Sequence, residues 1–415
     1  MKTSIAAPHA KGKFAKDVIF GVSDAAQAAA KRLGVDKVVN ATVGAIFDEN
    51  SKLAFLPTVE KVFRSMPSAE IVAYAPIRGL ADYANGVKQA CFGDYCPDTK
   101  VSVIATAGGT GAIALAIWNY TSEGDTILTS DWYWGAYKTL CEDKKRKLST
   151  YSMVTEDMKF NLSSLSDKFD EILKTQDSLF WLINSPAHNP TGYSLTNDEW
   201  NDCLELVKKH ANNGKNIIVF VDVAYLDFAG DKDKSRTFFK KFSNLPDNVL
   251  VLVAYSMSKG FTLYGQRTGA LIALSDNADI IEEFDNINEY TCRSTWSNIN
   301  RAAMRTLATI YQDPKLISDI EKEREEYCQM IKARADIFTA EAKECGLVTI
   351  PYVAGFFISI PVKNSSAVCD ELMKDNIFAV PLTKGVRLAV CSMPLPKVKG
   401  LAAIIKAAID KVDNN

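Results

Sequence analysis

Between residues 100 and 275 the chain alternates two textures. Short runs that are apolar at nearly every position recur at 101–107, 125–130, 179–184, 217–222, 249–256 and 268–275. Runs of this length, rich in Val, Ile and Leu, predict strands covered on both faces, as in a parallel sheet. Between them, 111–120, 135–142 and 197–212 have helical character. Strand–helix alternation of this kind predicts an α/β architecture.

After residue 300 the texture changes. A long, charged amphipathic helix is expected over 319–343, ending in EKEREEYCQMIKARADIFTAEAK. Short strands around 347–350, 355–361 and 386–391 and a closing helix over 398–411 read as a smaller α+β domain. The first 50 residues lack a strand–helix rhythm, and are expected to pack on the small domain or reach a partner subunit. The expected division is a large domain over 51–312, and a small domain over 1–50 and 313–415 that carries an N-terminal arm.

Composition narrows the function classes. A net charge of −2 and 47% hydrophobic residues fit a soluble globular protein with no basic footprint for nucleic acid. No stretch is apolar enough for a membrane span or a secretory leader. Nine scattered cysteines without a CxxC, and only three histidines, form no readable metal-ligand cluster, so no metal is expected. The odd cysteine count fits a reducing, cytoplasmic setting.

In an open α/β sheet, functional groups gather at the carboxyl ends of the strands. There VSVIATA runs into Gly108, Gly109, Thr110 and Gly111, which open a helix. Free backbone N–H groups at such a turn suit a phosphate, although alone the turn is equally a tight turn without a ligand. Asp222 ends IIVFVD and Tyr225 follows it. A carboxylate there needs a cation, which a protonated ring nitrogen would supply; taken alone it reads better as a cap or ion pair. Lys259 comes three residues after VLVLVAYS. Its place past a buried strand lowers its pKa and frees the amine for carbonyl chemistry. Arg267, eight residues on, could take the same phosphate as the glycine turn. Phosphate, ring cation, phenolic oxygen and aldehyde together describe one ligand, pyridoxal 5′-phosphate (PLP).

The chain resembles the fold-type I PLP-dependent aminotransferases, and within them the aspartate/aromatic subgroup of class I. The resemblance runs from about residue 40 to 391. It is carried by NATVGAIFDEN, YAPIRGLADYANGVKQACFG, AGGTGA, WYWGAY, AHNPTGYSL, VDVAYLDFA, SMSKGFTLYGQRTGA, RSTWSN and GVRLAV, in family order. It implies a large PLP-binding domain with a mainly parallel seven-stranded sheet covered by helices, and a smaller α+β domain.

By this resemblance Lys259 holds PLP as a Schiff base and shuttles the proton between substrate Cα and cofactor C4′. Asp222 pairs the pyridine nitrogen, and Tyr225 and Asn189 bond the ring oxygen. Trp134 stacks on the ring and borders the substrate. Gly109, Thr110, Gly111, Ser256 and Arg267 form the phosphate site, joined by Tyr74 of the neighbouring subunit. Arg387 grips the substrate α-carboxylate in a bidentate fashion. Val43 and Gly44 line the substrate entrance, and Tyr264 is structural. Arg293, with Ser297 beside it, aligns with the arginine that crosses the subunit boundary to bind a side-chain carboxylate. Its presence favours a dicarboxylic substrate while leaving phenylalanine and tyrosine open.

The wording departs from the subgroup at three points. Ile299 and Asn300 replace two prolines, Tyr137 stands where a histidine is usual, and the glycine turn begins with Gly108 where serine is common. With Tyr74 and Arg293 expected from the other subunit, the resemblance implies a homodimeric transaminase with shared active sites. It would pass the amino group of an aspartate-, glutamate- or aromatic-type amino acid to a 2-oxo acid such as 2-oxoglutarate by a ping-pong cycle. A PLP-dependent lyase or decarboxylase would use the same cofactor residues, and a non-catalytic PLP-binding regulator is the remaining reading.

Overall fold

The apolar runs assemble into one sheet, seen in a computed structural model that describes residues 4–14 and 18–414. Its seven strands are β1 (Lys100–Thr106), β2 (Thr126–Ser130), β3 (Lys147–Tyr151), β4 (Ser178–Asn184), β5 (Asn216–Asp222), β6 (Val249–Ser256) and β7 (Gly269–Ser275). Their spatial order is β1-β7-β6-β5-β4-β2-β3. Strand β7 runs antiparallel to both neighbours and every other pair is parallel. Successive residues alternate between two buried layers, as strand geometry requires. Trp181, Val219, Val251 and Ile272 enter one, while Phe180, Phe220, Leu252 and Ala273 enter the other.

Six of these strands match the apolar runs to within two residues. The seventh, β3, escaped the pattern because it reads KLSTY and is only partly buried at the sheet edge. The covering helices include α2 (Gly108–Tyr120), α3 (Ala136–Asp143) and α4 (Asn197–Asn212). Helix α4 starts with a reciprocal capping box between Thr196 and Glu199, which satisfies two backbone N–H groups.

A second core gathers Ile46, Phe338, Phe356, Ile358, Leu388 and Ile405. It is built on a three-stranded antiparallel sheet of β8 (Phe357–Pro361), β9 (Val380–Leu382) and β10 (Gly385–Ala389), ordered β9-β10-β8. Tyr225 and Phe228, just after β5, also pack into this core. The floor of the large sheet and the second core therefore meet at the ends of the central strands.

The sequence expectation needs four corrections here. Residues 347–350 are not a strand; only the Ile350 N–H bonds across to Ser359 O, at 2.9 Å. The last strand stops at Ala389, and residues 390–392 turn as a 3-10 helix. The closing helix is divided by Gly400, which is left-handed (φ 77°), into Leu395–Val398 and Leu401–Asp413. The long helix begins earlier, at Pro314 (Pro314–Glu344), because Asp313 caps it and proline suits the first helical position. The N-terminal region also holds a helix, α1 (Val18–Leu33), whose Ala26 and Ala29 pack on Val38 and Phe378. Its alanine-rich face gave little hydrophobic contrast. No helix among the described residues is long and apolar enough to cross a membrane.

Candidate active site

Parallel pairing sets Asn184 beside Asp222, and Asp222 beside Ala254, on one row at the carboxyl ends of β4, β5 and β6. Asp222 is 5% exposed. Its two carboxylate oxygens are held separately. Tyr137 donates its hydroxyl to Oδ2 at 2.7 Å, and the Ala224 N–H donates to Oδ1 at 3.1 Å. Burial pushes the carboxyl pKa up, while Tyr137, Ala224 and Lys259 pull it back.

Strand β6 is buried along its whole length and delivers Lys259 onto a one-turn helix, Met257–Gly260. Lys259 Nζ lies 5.6 Å from the ring centre of Tyr225 and 5.3 Å from that of Tyr264. Burial lowers its pKa to about 8, far below an ordinary lysine, and Arg267 and Arg387 add to the fall. A fraction of the amine is thus neutral, and nucleophilic, near pH 7. Tyr264 backs this arrangement: its hydroxyl accepts from the Ile46 N–H at 3.1 Å.

The glycine turn provides an anion cradle. Gly108 takes φ 70°, and a Cβ there would come within 2.8 Å of Arg267 Nη2. A Cβ on Gly269 would meet Gly108 C at 2.8 Å, so the two backbones touch and bring Arg267 to the start of α2. No side chain caps α2. The N–H groups of Gly109 and Thr110 consequently face the cavity end without an intrahelical acceptor. Arg267 is steadied by Tyr264 O at 2.9 Å and Ser258 Oγ at 3.3 Å. An uncapped helix start, an oriented guanidinium and Ser256 fit a phosphate. The buried carboxylate, the softened lysine and the Tyr225–Asn189 pair fit the rest of PLP.

Arg387 projects from β10 and is 3% exposed. Its Nη2 donates to Thr42 O at 2.7 Å and its Nη1 to Asn189 Oδ1 at 3.2 Å. The guanidinium lies 4.3 Å over the ring of Phe357. Asn189 in turn donates from Nδ2 to the Tyr225 hydroxyl at 3.3 Å. Gly44 is required where it stands, since a Cβ would fall 2.7 Å from the Phe357 ring.

All of these converge on one cavity of about 630 Å³, lined by Lys259, Asp222, Tyr225, Asn189, Arg387 and Trp134 among others. Gly109, Thr110, Ser256, Arg267, Val43 and Gly44 line it too. Gly111 stands outside, with its N–H bonded to Ala107 O at 3.3 Å and Trp296 packed close. Tyr74 is 88% exposed, and Arg293 is exposed near the end of helix Ala278–Thr295, bonded to Ser297. Neither belongs to the cavity of its own chain. Sequence reading did not anticipate Ser23, Asp24 and Gln27 of α1, nor Ser258 and Phe357, in the wall. The spacing of 23, 24 and 27 is one helix face, but which neighbour that face meets is a long-range property.

The sequence profile of the aminotransferases of class I and II matches residues 37–405. An aminotransferase of known structure from Anaerococcus prevotii DSM 20548 is 39% identical. It superposes with a TM-score of 0.95, covering 98% of this chain and 100% of that one. The aromatic-amino-acid aminotransferase of Burkholderia pseudomallei, covalently bound to pyridoxal phosphate, shares the fold at 23% identity. Its TM-score is 0.79, over 97% of this chain and 100% of that one. The mitochondrial aspartate aminotransferase of Arabidopsis thaliana is 27% identical over 73% of this chain and 69% of its own length.

Proposed function

This chain belongs to the class I and II aminotransferases, and we propose that it carries an amino group from a dicarboxylic or aromatic amino acid to 2-oxoglutarate or a similar 2-oxo acid. The observation that carries the reading is the meeting of Lys259, Asp222 and Arg387 in one cavity beside an uncapped helix start.

Bound there, PLP supplies an aldehyde for amines and a ring that draws electron density from an amino-acid Cα. The chain's own residues do the rest. Gly109, Thr110, Ser256 and Arg267 hold the phosphate end. Asp222 would pair the ring nitrogen and favour its protonated form. Asn189 and Tyr225 would hydrogen-bond the ring oxygen, and Trp134 would pack against the ring. Arg387 offers its guanidinium to the α-carboxylate, already aimed by Thr42 and Asn189. Lys259 Nζ would take up the substrate Cα proton and deliver it to C4′ of the cofactor, the shift that transamination requires.

The exposure of Tyr74 and Arg293, with Leu53, Phe55, Ile71 and Val72 also open to solvent, supports a homodimer in which each chain completes the other's site. The core of Ile46, Phe338, Ile358, Leu388 and Ile405, distinct from the two layers on the large sheet, supports a large domain over 51–312 and a small one over 1–50 and 313–415. All nine cysteines are unpaired, which supports a cytoplasmic location.

The test is to incubate the enzyme with PLP, aspartate or phenylalanine, and 2-oxoglutarate. Glutamate should form in step with the donor's 2-oxo acid. Ammonia or carbon dioxide released without glutamate would overturn the transfer reading in favour of a lyase or decarboxylase.

A further inference from the structure

We propose that Tyr137 is a positioning residue that keeps Asp222 an oriented carboxylate by a hydroxyl donor fixed to Oδ2; this deepens the function proposed above and rests on it. The placement begins in the sequence. Trp134 and Tyr137 lie three residues apart on the turn into α3, joined by the bond from the Tyr137 N–H to Trp134 O at 2.9 Å. Their rings meet edge to face, with centres 5.6 Å apart. One turn therefore supplies both a wall of the cavity and the donor behind Asp222.

The chemistry follows from burial. A carboxylate out of water takes up a proton unless hydrogen bonds stabilise its charge. Asp222 has two donors from the chain, and Ala224 is backbone. Tyr137 is therefore the side chain through which the charge can be set. With Oδ1 and Oδ2 each tied on the protein side, the carboxyl plane is fixed, and its remaining acceptor positions serve the cavity that Asp222 lines. Removing the hydroxyl would make the carboxylate more basic. The shared proton would then move from the ring nitrogen toward Asp222, and the ring would draw electrons less strongly.

The choice of a phenol also has a consequence. The titratable groups around Tyr137 are Asp222, Tyr225 and Cys141, with Lys259 beyond Asp222. Burial and the neighbouring carboxylate hold the phenol proton far above the neutral range. A donor of this kind stays neutral and stays a donor across the working pH range. A histidine in its place would titrate within that range.

The experiment compares the parent holoenzyme with Tyr137→Phe and Tyr137→His. It measures kcat and KM, the PLP dissociation constant and the pH titration of the bound cofactor's absorbance. Tyr137→Phe should lose between about tenfold and about a hundredfold in kcat, the size expected for one hydrogen bond to a charged group. KM for the amino acid should stay within about threefold, because Arg387 is untouched. The absorbance titration should shift in Tyr137→Phe. Tyr137→His should recover at least half of the lost log rate and add a pH step in the neutral range that the parent lacks. A Tyr137→Phe enzyme with the parent's kcat and absorbance titration would overturn the proposal. So would a loss of kcat in Tyr137→Phe that leaves the absorbance titration where the parent has it, since the ring packed on Trp134 is retained and the charge of Asp222 would then be unaffected by the hydroxyl. A parent protein that neither binds PLP nor transaminates would instead refute the underlying function.

Discussion

Arg387 Nη1 donates to Asn189 Oδ1 across 3.2 Å, and with that bond a strand of the second core is tied to the loop that follows β4. The other end of the same amide donates to Tyr225. Asn189 thus links the residue proposed to bind the substrate carboxylate with the one proposed to bind the ring oxygen.

Arg387→Ala should harm substrate use far more than cofactor binding, which Asn189 and Tyr225 would still support through their own bond. Truncating one member of a buried, hydrogen-bonded charge pair costs about 2–5 kcal/mol. The expected loss in kcat/KM is roughly thirtyfold to several thousandfold. Arg387→Lys should recover only part, because an ammonium cannot offer the two-pronged grip. Steady-state kinetics beside PLP titration checks this; equal losses in both would show that Arg387 supports the cofactor instead.

Lys259 has a pKa near 8, so its amine is cationic below that pH and free above it. The rate at which the apo-enzyme captures PLP should climb through about pH 8 and then level. An unperturbed lysine would keep climbing toward 10.5. Stopped-flow absorbance over pH 6–10 reads this directly, with the pH dependence of free PLP subtracted. Lys259→Ala should show no covalent capture and lose roughly 10⁴-fold in turnover, the upper range for a positioned proton-transfer group.

Gly260, beside Lys259, faces Asp227. A Cβ there would sit 1.9 Å from Asp227 Oδ2. Asp227 cannot readily yield, because Arg236 Nη2 holds its Oδ1 at 2.6 Å. Arg324 also donates to Gly260 O at 2.6 Å. Gly260→Ala should cost about 1–3 kcal/mol by overpacking, seen as a lower urea midpoint in the apo-enzyme. An unchanged midpoint would mean that the lysine turn is more yielding than its contacts imply.

Arg293 lies outside the cavity of its own chain, so its influence should depend on a partner. Arg293→Ala should depress kcat/KM for aspartate and glutamate by at least about tenfold more than for phenylalanine and tyrosine. Inactive Lys259→Ala chains refolded together with Arg293→Ala chains should regain aspartate activity. Statistical mixing leaves about a quarter of the sites with both residues intact. No recovery in verified mixed dimers would rule out sharing at this residue.

Much of this protein was legible locally. Lys259, Asp222, Asn189 and the Gly109–Thr110 turn stand at the ends of strands that a run of apolar residues announces, and strand ends are where an open sheet exposes its chemistry. The strands themselves were visible because burial on both faces leaves few polar positions. Edge strand β3 was hidden for the opposite reason, since half-exposed KLSTY carries little pattern. Tertiary packing alone decided that Tyr137 reaches Asp222 from 85 residues away, and Arg387 reaches Asn189 from 198. It also decided that Ser23, Asp24 and Gln27 form a wall of the cavity. Periodicity reports how much of each element is buried. It does not say against what, because that partner is chosen by the packing of the whole chain.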